Sequence, residues 1–333
     1  MAVIRDVMPA FELFQPATVE DAVALLDRYG EEGWALAGGL DSYDWFKDRI
    51  KRPKAVVDLG GIEALKEIRT GAGRLDIGAM ATLTSVARHP DVVGRFKLLA
   101  DAAIHVATPQ IRNAGTLGGN LCQDTRCWYY RSGWPCYRAG GNVCYASAPV
   151  AMNREHAVLG SKRCVAVNPS DTAAAVVALG GQMVIRSRKG ERVVDAEDFF
   201  IGPAIDITRM TVLRPGELLT SVRLPDAWAN TRFYYEKVRD RQAWDFPLVT
   251  VASAMVVRNG RIERIRLALN GVAPYPVRLH DVEQAVTGRA PGEETATLGG
   301  DIAVRGARAL RHNDYKLPLM RNLVRRALRG TEA

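Results

Sequence analysis

The run Ala107-Thr108-Pro109-Gln110-Ile111-Arg112-Asn113-Ala114-Gly115-Thr116-Leu117-Gly118-Gly119-Asn120 is a glycine-rich loop delivered by a helix of small residues over Phe96–Val106. Upstream, Trp34-Ala35-Leu36-Ala37 is a short apolar strand that enters Gly38-Gly39-Leu40-Asp41-Ser42, so strand, glycine turn and helix start follow one another. At such a junction unshielded backbone N–H groups and the helix dipole favour a pyrophosphate. Neither loop is a G-x-G-x-x-G run or a Walker A sequence, which argues against Rossmann and P-loop folds. Two cradles in one domain imply a long dinucleotide held at both.

Downstream, Cys127, Cys136, Cys144 and Cys164 are spaced C-x8-C-x7-C-x19-C. Soft thiolates select zinc, copper(I) or iron–sulfur clusters, and four of them suit a tetrahedral set or a cubane. With Cys122 the chain has 5 cysteines, an odd number that argues against a disulfide framework and for a metal site with one spare thiol. Cys122 directly follows the glycine loop and reads as a buried free thiol. The region is rich in glycine and aromatics and has little periodicity, so it buries little apolar area and needs a crosslinker.

At 333 residues, 47% hydrophobic and 25% charged, the chain can hold two or three domains with ordinary cores, which excludes a disordered protein. Its net charge of +8 is scattered rather than gathered in a stripe, which argues against nucleic-acid binding. The first residues lack an export h-region and no eighteen-residue apolar span follows, so the expectation is no membrane partner and a cytoplasmic protein. A signal-bearing partner would carry it to the periplasm instead.

Short strands at 11–16, 34–37, 55–59 and 75–79 alternate with helices, the first capped by Thr18, and suggest a mixed sheet. Asn168-Pro169-Ser170-Asp171 opens an alanine-rich helix, and Met183–Ser187 with Glu191–Val194 reads as a hairpin. A boundary is expected near Gly216–Pro225. Strands at 231–238, 249–258 and 262–269 and a basic amphipathic helix Leu319–Leu328 give the last third an α+β pattern with its own core.

Ala37-Gly38-Gly39, the run from Ile111 to Asn120, Pro169-Ser170-Asp171 and Tyr235-Glu236-Lys237-Val238-Arg239-Asp240-Arg241 together resemble the FAD-binding, or medium, subunit of the molybdenum hydroxylases, of the xanthine dehydrogenase, aldehyde oxidoreductase and carbon monoxide dehydrogenase type. The resemblance covers nearly the whole chain. It implies an α+β fold with a two-part FAD-binding domain, over 1–54 and 55–222, and a smaller C-terminal α+β domain over 223–333. It also implies that Ala37, Gly38, Gly39, Leu40, Asp41 and Ser42 form one FAD loop, and that Ile111, Asn113, Thr116, Gly118, Gly119 and Asn120 form the second. Asp171 falls on the family's acidic position, and Lys237 lies near the flavin. The family commonly has threonine, serine or histidine where Leu40 stands, so one side-chain donor is missing here.

The subset resembling 4-hydroxybenzoyl-CoA reductase and the bacterial aldehyde oxidoreductase FAD subunit carries an insert like that at 122–165. That resemblance implies a [4Fe–4S] cluster on Cys127, Cys136, Cys144 and Cys164. His156 lies inside the insert as a candidate neighbour of the cluster, and Trp128, Tyr129 and Trp134 as candidate shields. The function implied is electron transfer between a [2Fe–2S] small subunit, a molybdopterin large subunit and an external acceptor, with no catalytic residue in this chain. Two other classes stand beside it: an independent FAD-dependent oxidoreductase, which needs its own substrate cavity, and a zinc-stapled assembly module.

Overall fold

The computed structural model describes residues 8–329. Near the N-terminus, β1 (Glu12–Phe14) and β2 (Gly33–Leu36) flank β3 (Ala55–Asp58) in a parallel sheet. The helix Val19–Tyr29 joins β1 to β2; the Thr18 hydroxyl accepts from the Asp21 amide at 3.1 Å, and the helix buries Ala22, Val23 and Leu26. Because β3 is the middle strand, this sheet runs past residue 54, where the sequence placed the first boundary. The helix Ser42–Lys47 follows the first glycine loop and buries Trp45 and Phe46.

The second sheet contains β4 (Ile68–Gly71), β5 (Arg74–Gly78), β6 (Gln182–Ser187), β7 (Gly190–Asp195) and β8 (Leu218–Pro225), in the order β4-β5-β8-β6-β7. Every pair in it is antiparallel. The expected single mixed sheet is therefore two sheets, one parallel and one antiparallel. Helical crossovers link the parallel strands, whereas tight turns link β4 to β5 and β6 to β7. The boundary expected near Gly216–Pro225 falls on β8, the middle strand, whose Leu219, Val222 and Leu224 are buried. The passage to the last domain lies after it, between Pro225 and Arg232.

In the last domain β9 (Arg232–Val238), β10 (Val249–Arg258), β11 (Arg261–Asn270) and β12 (Val277–Arg278) form an antiparallel sheet in the order β12-β11-β10-β9. Side chains alternate along β10. Val249, Val251 and Met255 pack with Met320, Leu323, Val324 and Leu328 of the helix Lys316–Arg329. Ala252 and Ala254, on the opposite face, join the core that holds the wholly buried helix Ala173–Ala178. The last domain thus has its own core on one side only. Basic residues of the terminal helix are spent within the domain: Arg325 and Arg329 pair with Glu293, Arg321 with Asp301 and Arg326 with Glu236.

The segment 122–165 contains one short helix, Trp128–Arg131, and two 3-10 turns. It bridges the domains rather than projecting from one. Towards the N-terminal part, Lys51 pairs with Asp124 at 3.3 Å and Trp45 packs on Tyr130 with ring centroids 5.5 Å apart. Towards the C-terminal domain, the Asn313 side-chain amide donates to the His156 carbonyl at 2.9 Å, and the Lys316 amine donates to the carbonyls of Glu155 at 2.9 Å and Gly271 at 2.6 Å. Among the described residues no helix is long and apolar enough to cross a membrane.

Burial pushes the Lys316 amine down to about 7. An unfolded lysine keeps an ordinary value of about 10.4, so between these values the unfolded chain holds a proton that the folded chain lacks, and stability falls as pH drops through that window. Lys316→Met removes this component. Denaturant midpoints of both proteins at pH 7.5 and 9.5 should show the wild type losing ground to the variant at the lower pH; a constant difference would contradict the assignment.

Candidate functional site

The two glycine segments meet backbone to backbone. A Cβ built on Gly38 would stand 2.1 Å from the Ala114 carbonyl oxygen, so no side chain fits there. Gly39 has a φ of 76°, in the left-handed region that favours glycine. A Cβ on Gly119 would point back towards the first loop, 3.6 Å from the Ala37 Cβ. Among the described residues the amides of Gly39, Leu40 and Asp41 donate to no protein acceptor. In the second loop Leu117 donates to Ala81, Gly118 to Ala79 and Gly119 to the Thr116 hydroxyl. Three consecutive free amides thus lie in the first loop, whereas the glycine amides of the second are already bonded within the protein.

The remaining residues marked by the sequence divide into supports and wall. Ile111 and Asn113 lie on the helix Pro109–Ala114, where the Thr84 hydroxyl donates to Asn113 Oδ1 at 2.7 Å. Asn120 is buried and ties the second loop to the aspartate segment: its Oδ1 accepts from the Ser170 hydroxyl at 2.8 Å and the Thr172 hydroxyl at 2.6 Å. Ser42 accepts from the Trp34 indole at 3.0 Å. Leu40 is 44% exposed, and its Cδ1 would stand 3.4 Å from a Cβ built on Gly115. Asp41 turns towards the insert: Oδ1 accepts from Arg126 at 2.7 Å and Arg131 at 3.1 Å, and Oδ2 from the Trp45 indole at 3.0 Å.

Asp171 and Lys237 form a buried pair at 2.8 Å. The Lys237 ammonium also donates to the carbonyls of His105 at 3.1 Å and Asp245 at 2.8 Å, so its three hydrogens are all used. Burial pushes the Asp171 carboxyl up and the Lys237 amine down, and each charge opposes the other's shift. Asp171 Oδ1 and Asn168 Nδ2 are buried with no partner. Beside Asn168 opens a cleft of about 1220 Å³, walled also by Pro169, Arg126, Trp128, Trp244 and Phe246, among others. An unpaired buried amide at the edge of a cleft this large fits a polar ligand whose groups complete it.

The four cysteines predicted as ligands line one small cavity together with Tyr129, Tyr130, Arg138 and Tyr145. All are free thiols, and burial pushes the Cys127 thiol up to about 12. Among the described residues no three His, Cys, Asp or Glu side chains are gathered so as to hold one metal ion. Cys122 lies outside this cavity, and burial raises its thiol to about 12. Of the expected shields, Tyr129 lines the cavity, but Trp128 is 60% exposed and faces the large cleft. Trp134 forms an outer layer on Tyr145, at 4.7 Å between ring centroids. Sequence reasoning missed Arg138, which reaches the cavity only through folding. His156, buried and pushed down to about 4, is neutral at pH 7 and stands 3.3 Å from Cys127 Sγ.

Residues 9–227 match the FAD binding domain in molybdopterin dehydrogenase, and 233–331 match the CO dehydrogenase flavoprotein C-terminal domain. The chain belongs to the FAD-binding medium subunits of the molybdenum hydroxylases. It is 34% identical to the aldehyde oxidoreductase FAD-binding subunit PaoB of Escherichia coli, over 90% of this chain and 91% of that one. With the carbon monoxide dehydrogenase medium chain of Hydrogenophaga pseudoflava it shares 30% identity over 98% of both. A solved carbon monoxide dehydrogenase from that organism, lacking the Mo-pyranopterin moiety of its cofactor, superposes with a TM-score of 0.77 over 97% of this chain and 98% of the matched one. Quinoline 2-oxidoreductase from Pseudomonas putida 86 gives 0.75 at 25% identity, over 97% and 96%. The chain is therefore an FAD-dependent oxidoreductase subunit of the electron-transfer kind, and the family's build as multi-subunit complexes implies partner subunits.

Lys237→Met should cost about 3–5 kcal/mol, because it strands the Asp171 carboxylate without its cation. Adding Asp171→Asn should recover part of that loss in denaturant titrations. A single variant as stable as the wild type would show that the pair does not hold these segments together.

Proposed function

We propose that this chain binds FAD and one [4Fe–4S] cluster and passes electrons between a [2Fe–2S] small subunit serving a molybdopterin large subunit and an external acceptor. The observation that carries the reading is the meeting of the two glycine loops, backbone against backbone, with free amides at Gly39, Leu40 and Asp41; the Asp41 side chain binds Arg126 and Arg131 on the wall of the large cleft. Those amides would hold the diphosphate, and the Gly118-Gly119 backbone would let it approach closely. Asn168 Nδ2, unpaired on a residue of the cleft wall, would donate to a ligand oxygen, with Asp171 Oδ1 behind it, and the wall residues Pro169 and Phe246 would limit water. Bound there, the flavin supplies conversion between two-electron and one-electron transfer.

For the cysteine cavity the supporting observations are convergence and spacing. A single zinc needs its four sulfurs about 2.3 Å from one point. A cubane lets each thiolate bind a different corner iron and so suits a wider set. Cys127, Cys136, Cys144 and Cys164 face one cavity without forming a single-ion site. A cluster there supplies one-electron storage and a crosslink between segments joined to both ends of the molecule.

Absorption spectra and iron analysis of anaerobically isolated protein test both cofactors. Flavin bands near about 450 nm with a broad shoulder around 400 nm and about four irons per chain are expected; zinc without iron would overturn the cluster. In Gly119→Val the new side chain would enter the space between the loops, so flavin should be lost while iron is retained. Full flavin occupancy in that variant would contradict the cradle. Without its partners, the purified chain should oxidise no aldehyde, purine or aromatic thioester; substrate turnover by this chain alone would favour an independent oxidoreductase.

A further inference from the structure

Two buried polar side chains around the cysteine cavity hold N–H groups that the protein does not otherwise use. Arg138 is 7% exposed and lines the cavity with the four cysteines. One terminal nitrogen donates to the Ile207 carbonyl at 2.7 Å, the other to Asp124 Oδ1 at 2.5 Å, and Nε is buried with no partner. Asp124 is shared with Lys51, so the Arg138, Lys51 and Asp124 group keeps a net positive charge beside the cavity. The guanidinium is held against the Tyr130 ring, 5.4 Å from its centroid.

The second group is His156, 3% exposed, whose Nε2 lies 3.3 Å from Cys127 Sγ. Its backbone is pinned on both sides: the His156 carbonyl accepts from Asn313, and the Glu155 carbonyl from Lys316. Nδ1 is buried and unpartnered. Against a thiolate sulfur, an Nε2 lone pair would be repelled, and the alternative tautomer would also bury an unpaired Nδ1–H. The proton therefore belongs on Nε2, where it donates to the sulfur.

Resting on the reading of this cavity as a [4Fe–4S] site, we propose that Arg138 and His156 raise the reduction potential of the cluster and so make it an electron-accepting station rather than a crosslink alone. Reduction adds negative charge to a group already carrying thiolate and sulfide charge. A fixed cation and two N–H donors stabilise the more negative state more strongly, and low dielectric enlarges the difference. A cluster serving only to crosslink the insert gains nothing from a donor aimed at one ligand sulfur and a charge left partly unneutralised at its wall.

The test is a potentiometric titration of the holoprotein, followed by low-temperature EPR for the cluster and by absorption for the flavin. His156→Leu keeps the volume and removes the donor, and His156→Gln keeps a donor at the same reach. The one-electron reduction constant in the leucine variant should fall about tenfold, a shift of about 59 mV to lower potential. Iron content and flavin potential should stay unchanged, and the glutamine variant should recover most of the shift. Arg138→Lys, which keeps charge but loses Nε, should give a smaller fall in the same direction. Full iron with an unmoved cluster potential in both His156→Leu and Arg138→Lys would overturn the proposal while leaving the cluster reading intact. A wild-type protein without iron would overturn the cluster reading itself, and the proposal with it.

Discussion

Lys237 carries its charge in a place with no exposed side-chain surface, and its three N–H bonds end on three separate parts of the chain: Asp171 at the start of the buried alanine helix, His105 at the end of the helix that leads to the second glycine loop, and Asp245 in the loop between β9 and β10. Burying an ammonium and a carboxylate is costly unless their remaining bonds are met by fixed partners. That requirement makes the spacing of the three segments a condition of stability. Two of these segments, Asn168-Pro169 before Asp171 and the loop around Asp245, wall the large cleft, so part of its geometry is inherited from the ion pair.

A second constraint runs through Asp41. Its carboxylate lies in the first glycine loop yet binds Arg126 and Arg131, which flank and close the short helix after Cys127. One face of that helix region looks into the cysteine cavity through Tyr129 and Tyr130, and another borders the large cleft through Trp128 and Arg131. The insert is therefore mechanically joined to the first glycine loop. Its far side is clamped to the C-terminal domain through Glu155, His156 and Arg154, so loosening the insert would be felt at both ends of the molecule.

Local patterns made much of this legible. Alternating apolar residues marked the long strands of the last domain, Thr18 marked a helix start, and glycines at 38 and 39 marked a turn whose backbone has to touch another segment. Long-range pairing was less accessible. Parallel and antiparallel strands of a few residues look alike locally, which hides both the division into two sheets and the place of β8, where the boundary near Gly216–Pro225 is expected, in the middle of one of them. The destinations of amides and charged side chains depend on neighbours far apart in sequence. Thus the spent amides of the second loop, the turn of Asp41 towards the insert, and Arg138 at the cavity wall emerge only in the folded chain.

Anomalous diffraction from crystals of anaerobically prepared protein would show whether the proposed FAD and cluster sites share one junction. At the iron edge, one compact four-atom iron feature enclosed by Cys127, Cys136, Cys144 and Cys164 is expected, with diphosphate density against the amides of Gly39, Leu40 and Asp41. A single-ion peak at the zinc edge in that cavity, or diphosphate bound away from the first glycine loop, would contradict it.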